Sequence, residues 1–417
     1  MNAVPSARYN IALMHPFDIR GTKIGGLETY IRDFVTFCPE DTRVLFIGVD
    51  AAGDMKLGEI VETTFRGRTF DFMPVLHYPD VMAREAARKL TDSITAQFFV
   101  ALLRYFPRIA RELRARRCSV DLRRVEFAWL PFMLRLPYVQ MLHGEGVPQK
   151  AMDSLLQRYR FVHQLGERFA VNTSRKFLCV NPMITERLRA TYTGQADKID
   201  TLWTWVNTNI FRPQPFPAST DPFRIVFVGR LDEFKQPRLM FKTIARLREK
   251  LNGAVAFHYV GTSDPTRFAE YAAIEDITVR HGFQDAKGVA NVLSQAHAGI
   301  LTSEFEGMPR CVLETLAIGR PVVAVHLPQL EAVIDNQISG HLVPRELSHE
   351  VLIDTLATRL LEVRNGIAAG EVDPGAVAAR IATFTPDTQL ARVYRLHHEI
   401  QRGDAPSTGE RLVQSLG

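Results

Sequence analysis

SEFEGMPRCVLETLAIGRPVVAV, residues 303–325, is the stretch of this sequence that decides the fold. It follows a short apolar run, Ala298–Leu301, which is typical of a buried parallel strand. Apolar residues at helical spacing fill its middle, and Gly319 predicts where that helix ends. A second apolar run, Pro321–Val325, follows at once. The order predicts strand, loop, helix and strand, which is one unit of a parallel α/β sheet.

The junction between this loop and the helix combines an anion-binding position with two carboxylates. Backbone N–H groups and the helix dipole attract anions at a helix N-terminus. Glu306 stands just before the helix and Glu314 lies inside it. Carboxylates would repel a bare phosphate but accept hydrogen bonds from hydroxyl groups. The pair is therefore compatible with a ligand that has a diphosphate between two polyols, which is a sugar nucleotide. It is equally compatible with two ordinary solvated carboxylates. The residues around the helix start are Gly307, Met308, Pro309 and Arg310.

Basic residues follow another buried strand of the second half. The strand is predicted over Phe223–Gly229, and Arg230 and Lys235 come directly after it. Arginine binds phosphate in a bidentate manner and lysine acts as a point charge. Taken alone, these two residues are more commonly solvated surface charges. Beside Glu306 they become candidates for binding a diphosphate.

The first half of the chain alternates strands with helices in the same way. Tyr9–Met14 is the first predicted strand, and a loop with Gly25 and Gly26 then opens a helix. Adjacent glycines at a helix start allow close approach of a ligand, although a simple tight turn explains them as well. His143 follows the predicted strand Tyr138–Leu142, at a strand end where α/β sheets bind ligands. A further strand is expected in the apolar run 125–129.

These motifs together resemble the retaining glycosyltransferases of family 4. The resemblance lies in Glu306-x7-Glu314 followed by Gly319-Arg-Pro-Val-Val323, and in the phosphate-binding string GRLDEFKQP that begins at Gly229. It implies that Glu306 contacts the transferred sugar, that Glu314 holds the nucleotide ribose, and that Arg230 and Lys235 neutralise the diphosphate.

The resemblance also assigns roles outside these two strings. Gly25 and Gly26 match the glycine loop of the family, and His143 matches a histidine near the donor sugar, in a sugar-contacting or electrostatic role. The expected catalytic residues are His143, Arg230, Lys235 and Glu306. The expected donor-binding residues are Gly25, Gly26, Gly229, Gly261, Arg280, Phe283, Gly307, Met308, Pro309, Arg310 and Glu314.

The fold implied by the resemblance is the two-domain B-type (GT-B) fold. We expect an α/β protein with two Rossmann-like, doubly wound parallel-sheet domains facing a cleft. Residues 1–208 would form an acceptor-side domain and residues 209–385 a domain that binds the nucleotide sugar. Residues 386–417 would supply a helix that packs back on the first domain, and a polar tail.

The implied activity is transfer of a hexosyl unit with retention of configuration, from a UDP-sugar or, second, from GDP-mannose. The acceptor would be a glycan or a lipid-linked sugar in the synthesis of a cell-surface polysaccharide or glycolipid. No Asp-x-Asp motif occurs in the chain, so we expect neither a metal nor a cofactor. Two alternatives stay open: a non-hydrolysing sugar-nucleotide epimerase and a non-catalytic nucleotide-binding subunit.

Composition limits the cellular location and the partners that we expect for the protein. The chain has 417 residues, a net charge of +5 and four cysteines at no metal-ligand spacing. We expect a cytoplasmic protein without a signal peptide or membrane span and with no nucleic-acid partner. Six arginines lie between Arg104 and Arg124, and an apolar segment, Ile94–Tyr105, precedes them. That pattern fits peripheral contact with the anionic inner face of a membrane, and it also fits an ordinary amphipathic helix with a solvated basic face.

Overall fold

The computed structural model of the protein describes residues 8–22, 26–79, 93–143 and 160–404. The chain divides into two compact units. The first consists of residues 1–203 and 389–417, and the second of Thr204–Thr388. Each unit is built on one largely parallel sheet with helices, so the predicted α/β class with two parallel-sheet domains is confirmed.

The sheet of the first unit has its earliest strand in the middle. In the described residues its order is β3-β4-β2-β1-β5-β6-β7-β8, with only β3 antiparallel to its neighbour. The strands are β1 (Tyr9–Met14), β2 (Thr42–Asp50), β3 (Val61–Phe65), β4 (Arg68–His77), β5 (Ser119–Leu122), β6 (Tyr138–Leu142), β7 (Lys176–Cys179) and β8 (Ile199–Thr201). The central strands β1, β5 and β6 are almost wholly buried, because helices cover the sheet.

Helices of the first unit connect these strands. They are α1 (Gly26–Thr36), α2 (Ile94–Arg104), α3 (Phe106–Ala115), α4 (Trp129–Leu134), α5 (Arg160–Thr173) and α6 (Pro182–Thr191). The strand expected over residues 125–129 is wrong: Val125–Phe127 form a 3₁₀ turn and α4 begins at Trp129. An apolar run of this length is compatible with a buried helical segment as well as with a strand, and here it is helical.

The second unit has a purely parallel sheet, in the order β11-β10-β9-β12-β13-β14. Its strands are β9 (Phe223–Val228), β10 (Val255–Val260), β11 (Thr278–Gly282), β12 (Ala298–Leu301), β13 (Val322–Val325) and β14 (Gly340–Val343). The helices are α7 (Pro237–Lys250), α8 (Ala286–Gln295), α9 (Arg310–Ala317), α10 (His349–Ala368) and α11 (Pro374–Ala379). The organising stretch therefore folds as predicted, with β12, α9 and β13 in order.

The proline-rich segment after residue 213 is tied to the second unit by a buried arginine. The Arg320 side chain is fully buried and donates hydrogen bonds of 2.7 Å to the carbonyl oxygens of Gln214, Pro215 and Ser294. Desolvation lowers the pKa of Arg320 to about 10. The sequence pattern indicates a linker here, whereas the structure fixes the beginning of the segment to the sheet domain.

The last helix, α12 (Pro386–Arg402), belongs to the first unit from Gln389 onward. Tyr394 donates a hydrogen bond to the carbonyl oxygen of Phe34 in α1. His398 stacks on Tyr9 with ring centroids 3.8 Å apart and shares a 2.8 Å hydrogen bond with Thr42. These contacts attach the end of the described chain to the start of the first sheet.

Candidate functional site

The cluster of predicted site residues in the second unit lies where the strand order reverses. The chain runs outward from β9 to β10 and β11, then returns to place β12 on the other side of β9. Open α/β sheets bind ligands at such a switch point, outside the carboxyl ends of the strands. Gly229 follows β9 here, and the loop that begins at Thr302 follows β12.

Backbone contacts join these two loops. The Thr302 hydroxyl donates a 2.7 Å hydrogen bond to the carbonyl oxygen of Lys235, and the Glu304 amide donates one of 2.8 Å to that of Phe234. Arg345 closes the far side of the loop by donating to the carbonyl oxygens of Ser303 and Glu304. Two segments about 70 residues apart in sequence are thereby held as one surface.

An ion pair between Lys235 and Glu306 is the centre of this cluster. The Lys235 Nζ contacts Glu306 Oε1, and the two side chains are only 14% and 12% exposed. Ser303 Oγ donates a 2.9 Å hydrogen bond to the same oxygen, and Gln329 Nε2 donates a 2.8 Å hydrogen bond to the Glu306 carbonyl. Lys235 and Ser303 therefore hold the carboxylate, Gln329 holds the backbone of Glu306, and the lysine lies beside the carboxylate rather than in solvent.

The helix start differs in one detail from what a proline there predicts. Proline is typical of the first helical turn, whereas Pro309 is the residue before α9, with extended backbone at φ −70° and ψ 113°. Pro309 and Met308 are buried, so they shape the turn. The role of Pro309 as a residue of the helix start is thus conformational, because proline has no N–H to donate.

Glu314 lies one turn into α9, where its Oε1 is 3.7 Å from Nε of Arg310. Both side chains are mostly buried, at 16% and 17% exposure. Cys311 stands between the two carboxylates: burial raises the pKa of its thiol to about 12, Lys235 opposes this, and Glu306 and Glu314 add to it. The thiol is thus protonated at neutral pH, which argues against a cysteine nucleophile.

Two glycines allow the ends of β9 and β10 to meet. Gly229 has φ +148° and its amide donates a 2.9 Å hydrogen bond to the carbonyl of Val260. A Cβ at Gly261 would lie 2.3 Å from the Gly229 carbonyl oxygen and 2.5 Å from the Tyr259 hydroxyl. Only glycine fits at position 261, so both predicted glycines have a structural reason to be here.

The remaining predicted residues of the second unit are more exposed. The Arg230 side chain is 72% exposed and pairs with Asp232 at 2.9 Å. Arg280, on the edge strand β11, pairs with Asp264 at 3.4 Å, and Phe283 beyond it is 61% exposed. Exposed pairs of this kind are weak and exchange readily for a ligand. The structure therefore places Arg280 and Phe283 two strands away from β9, and Arg230 directly after it.

The predicted residues of the first unit lie at the carboxyl ends of its strands. Gly25 falls outside the described residues, whereas Gly26 is exposed and begins α1. His143 follows β6, and its ring meets the Tyr30 ring edge-on with centroids 5.3 Å apart. Burial first and the Arg123 charge second hold the pKa of His143 well below 6.5, so its imidazole is neutral. Its Nε2 has no hydrogen-bond partner within the described part of the chain.

Several supporting residues were missed by the sequence analysis. Ser303, Gln329 and Arg345 hold the Glu306 loop, and Tyr30 and Arg123 surround His143. Ser303 lies three residues before Glu306, which is the only local signal among them. The others depend on contacts between distant segments. Over residues 8–22, 26–79, 93–143 and 160–404, no group of three His, Cys, Asp or Glu side chains is placed to hold a metal.

Comparisons with known proteins find a family match over the part of the chain that contains this cluster. Residues 222–363 match the family described as "Glycosyl transferases group 1". The putative colanic acid biosynthesis glycosyltransferase WcaL of Escherichia coli K12 is 29% identical over 151 residues, covering 33% of this chain and 36% of that protein. The D-inositol 3-phosphate glycosyltransferase of Thermobispora bispora is 25% identical over 272 residues, covering 58% and 62%. The chain thus spans only part of the curated relatives that it matches.

Similarity in structure extends over nearly the whole chain. The sucrose-phosphate synthase tll1590 of Thermosynechococcus elongatus has a TM-score of 0.69 at 18% identity, covering 95% of this chain and all of that one. The pneumococcal O-GlcNAc transferase GtfA, solved in complex with UDP and GlcNAc, has a TM-score of 0.63 at 11% identity, covering 94% and 99%. At these identities the likeness concerns the fold. The chain therefore has the two-domain B-type fold of glycosyltransferases, and its second unit carries a segment that matches the group 1 glycosyl transferases.

Proposed function

We propose that the protein transfers a hexosyl unit from a nucleoside-diphosphate sugar to a glycan or lipid-linked acceptor, in the synthesis of a cell-surface polysaccharide or glycolipid. The observation that carries this proposal is the joined surface of Lys235, Glu306 and the α9 N-terminus at the strand switch point. The group 1 match covers this surface, and one neighbour in structure is titled as a complex with UDP. UDP-sugars are the preferred donors, and GDP-mannose is second.

The charges of the cluster suit a diphosphate leaving group. Arg230, Lys235 and the first amides of α9 would surround the diphosphate and stabilise the negative charge that develops as the sugar bond breaks. Two cationic side chains can perform this role without a divalent metal. Glu306 would accept hydrogen bonds from the transferred sugar and Glu314 from the ribose.

The chemistry we propose is retaining and needs no covalent enzyme intermediate. The acceptor hydroxyl attacks the anomeric carbon on the face from which the diphosphate departs, and its proton passes to the departing diphosphate. One C–O bond forms and one C–O bond breaks on the same face of the sugar, so the anomeric configuration is kept. His143 is neutral, so it would donate or accept a hydrogen bond to the sugar rather than act as a cation.

A transfer assay tests this proposal. UDP-hexoses and GDP-mannose are incubated with the protein, EDTA and a panel of alkyl glycosides, and the products are followed by release of nucleoside diphosphate and by proton NMR at the anomeric position. We expect one donor to give an alkyl-linked product with its original anomeric configuration. An inverted product, or activity that EDTA abolishes, would contradict the mechanism. Interconversion of the donor without an acceptor would indicate an epimerase, and binding without turnover a nucleotide-binding subunit.

We propose in addition that the first unit contacts an anionic membrane when the acceptor is lipid-linked. Large apolar side chains are exposed on three of its helices: Val100 and Leu103 on α2, Phe132 and Met133 on α4, and Phe161 and Leu165 on α5. Ring contacts connect these helices: Phe99 and Phe106 contact Trp129, and Phe132 contacts Phe169. Exposed arginines of α2 and α3 adjoin the apolar residues, which is the pairing that anionic lipid attracts.

Co-sedimentation with vesicles tests this contact. We expect binding to vesicles that contain phosphatidylglycerol and little binding to pure phosphatidylcholine, and we expect Leu103→Ser with Phe132→Ser to weaken it. The double variant Val61→Ser with Val279→Ser, which changes exposed apolar residues on strands, is the matched control. If the two double variants bound the vesicles equally well, the proposal that these helices contact the membrane would be contradicted. Among the described residues no helix is both long and apolar enough to cross a membrane.

A further inference from the structure

A buried polar chain in the first unit connects the last helix to His143, and the function proposed above does not use it. Ser119, Asp121, Arg123 and His397 are each at most 3% exposed. The first three belong to β5 or directly follow it, and the fourth lies on α12, more than 270 residues later in the sequence. Charged groups are rarely buried this completely without a specific reason.

The hydrogen bonds of this chain have one consistent direction. Gln401 Nε2 donates to Ser119 Oγ at 2.7 Å, and Ser119 Oγ lies 2.8 Å from Nδ1 of His397. His397 Nε2 lies 3.2 Å from Asp121 Oδ2, and a carboxylate only accepts. Nε2 of His397 therefore donates to Asp121, and in the neutral ring Nδ1 accepts from the serine. Every link in this order is satisfied, which fixes the orientation of the Asp121 carboxylate.

Asp121 in turn forms an ion pair with a buried arginine, although neither of the two paired atoms makes a hydrogen bond within the described residues. Its Oδ1 lies 2.6 Å from Nε of Arg123, and both side chains are at most 1% exposed. Arg123 lies over the Tyr30 ring with its guanidinium carbon 3.7 Å from the ring centroid. The Tyr30 ring then meets the His143 ring edge-on. Arg123 thus reaches His143 through one aromatic ring.

Stability alone is a weak explanation for such an arrangement. A buried ion pair loses hydration on folding, and apolar replacements of similar volume are often neutral or stabilising. The pair also lies at the carboxyl edge of the sheet, where Arg123 follows β5 as His143 follows β6. In this fold class that edge is where ligands bind. The location points to a role in the site rather than in the core.

We propose that His397 of the last helix is a positioning residue for His143, acting through Asp121, Arg123 and Tyr30. This inference rests on the proposed function only in that His143 is taken to contact the sugar. The chain fixes the ring plane of Tyr30, and hence the edge against which His143 rests. The Arg123 charge in the same chain favours the neutral imidazole, in agreement with the lowered pKa of His143. Within the described residues, the Tyr30 ring contacts His143 and the Arg123 charge acts on it.

The neighbouring histidine supplies a matched control. His398 is on the same helix and is also in contact with the first sheet, but it stacks on Tyr9 and hydrogen-bonds Thr42. His397→Asn and His398→Asn therefore remove the same chemical group from adjacent positions. Arg123→Lys is the second test variant, since it keeps the charge and removes the flat guanidinium from the Tyr30 ring.

The experiment has two readouts on the full chain. The first is the nitrogen chemical shifts of the His143 ring in histidine-labelled protein without substrate, assigned with His143→Gln, across pH 5–8. The second is kcat against the dissociation constant of the nucleoside diphosphate. We expect His397→Asn and Arg123→Lys to move the His143 ring signals and to lower kcat by up to about 100-fold. Affinity for the nucleoside diphosphate should stay within about two-fold, because the Lys235–Glu306 cluster belongs to the other unit. His398→Asn should leave both readouts unchanged.

The outcomes separate this proposal from the function on which it rests. If the wild type transfers no sugar, the proposed function fails, and the ring signals alone decide the positioning role. If His397→Asn does not fold, Arg123→Lys decides. Unchanged His143 signals in a folded variant overturn the proposal. Moved signals with wild-type kcat, in a protein that does transfer sugar, overturn it as well.

Discussion

Replacing the two partners of the central ion pair should separate diphosphate binding from sugar transfer. Lys235 and Glu306 are paired at low exposure, and Ser303 supports only the carboxylate. Lys235→Met leaves a mostly buried carboxylate without its cation, whereas Glu306→Gln keeps an oxygen that accepts from Ser303. The two changes remove the same contact but leave different groups behind.

The expected magnitudes follow from this burial. Removing one partner of a buried pair costs about 3–5 kcal/mol, and we expect Lys235→Met to be near the lower limit because Ser303 still supports the carboxylate. A charge-assisted contact to phosphate is worth about 1.5–3 kcal/mol, so Lys235→Met should also weaken UDP binding about 10- to 100-fold. Glu306→Gln releases Lys235 from the carboxylate. It should therefore bind UDP as tightly as the wild type or more tightly, while transfer of the sugar is lost.

The assay combines calorimetry with UDP and urea unfolding of both single variants and the double variant. We expect a coupling free energy of about 0.5–3 kcal/mol between the two positions. Glu304→Gln is the control, because Glu304 is exposed, lies two residues from Glu306 and hydrogen-bonds Gln236. If Glu306→Gln weakened UDP binding as much as Lys235→Met, the assignment of Lys235 to the diphosphate and Glu306 to the sugar would be refuted.

Three further predictions follow from single positions. Gly261→Ala should lower the free energy of unfolding by about 1–3 kcal/mol and weaken donor binding, because its Cβ would meet the Gly229 carbonyl oxygen at 2.3 Å. Gly194→Ala is the control and should change neither quantity, because the space around Gly194 is open. Equal urea midpoints for the two variants would contradict the close contact at position 261. Cys311, whose pKa is raised to about 12, should react slowly with iodoacetamide at pH 8 until the protein is unfolded, as read by peptide mass spectrometry. Rapid labelling of the native protein would contradict the raised pKa. The pKa of His143 is lower in the folded state than its unfolded value of 6.5, so below about pH 6.5 the unfolded state binds more protons than the folded state. The stability that His143 contributes should therefore be present above pH 6.5 and be lost as the pH falls. His143→Gln should flatten the dependence of the unfolding free energy on pH between pH 5 and 7, and an unchanged dependence would show that folding does not lower the pKa of His143.

The sequence was most informative where local pattern decides structure. The runs Ala298–Leu301 and Tyr9–Met14 became strands with the predicted bounds, and α9 lies between β12 and β13 as expected. The strands have continuous apolar runs, and the helix has apolar residues at helical spacing between a proline and a glycine. These signals depend only on residues that are close in sequence. Strand β5, with Ser119 and Asp121 in a buried strand, carried no such signal. Its polar residues are compensated by distant side chains: His397 hydrogen-bonds both Ser119 and Asp121, and Arg123 forms an ion pair with Asp121.

The candidate site was predictable as a set of residues but not as an arrangement. Spacing and family resemblance singled out Lys235 and Glu306, but the ion pair between them depends on how the loops after β9 and β12 meet. The environment of His143 likewise depends on Tyr30 and Arg123, from α1 and the end of β5. Contacts between segments so far apart are set by sheet order, which a single sequence does not contain.

The most direct test of the central claim is a binding panel by thermal shift. UDP, GDP, ADP and their hexose conjugates are each added to the wild type and to Lys235→Met, with and without EDTA. We predict that one nucleoside diphosphate and its conjugates raise the melting temperature of the wild type, that EDTA leaves this shift intact, and that Lys235→Met reduces it. No shift from any of these ligands in folded wild-type protein would contradict the claim that the second unit binds a sugar nucleotide at the Lys235–Glu306 cluster.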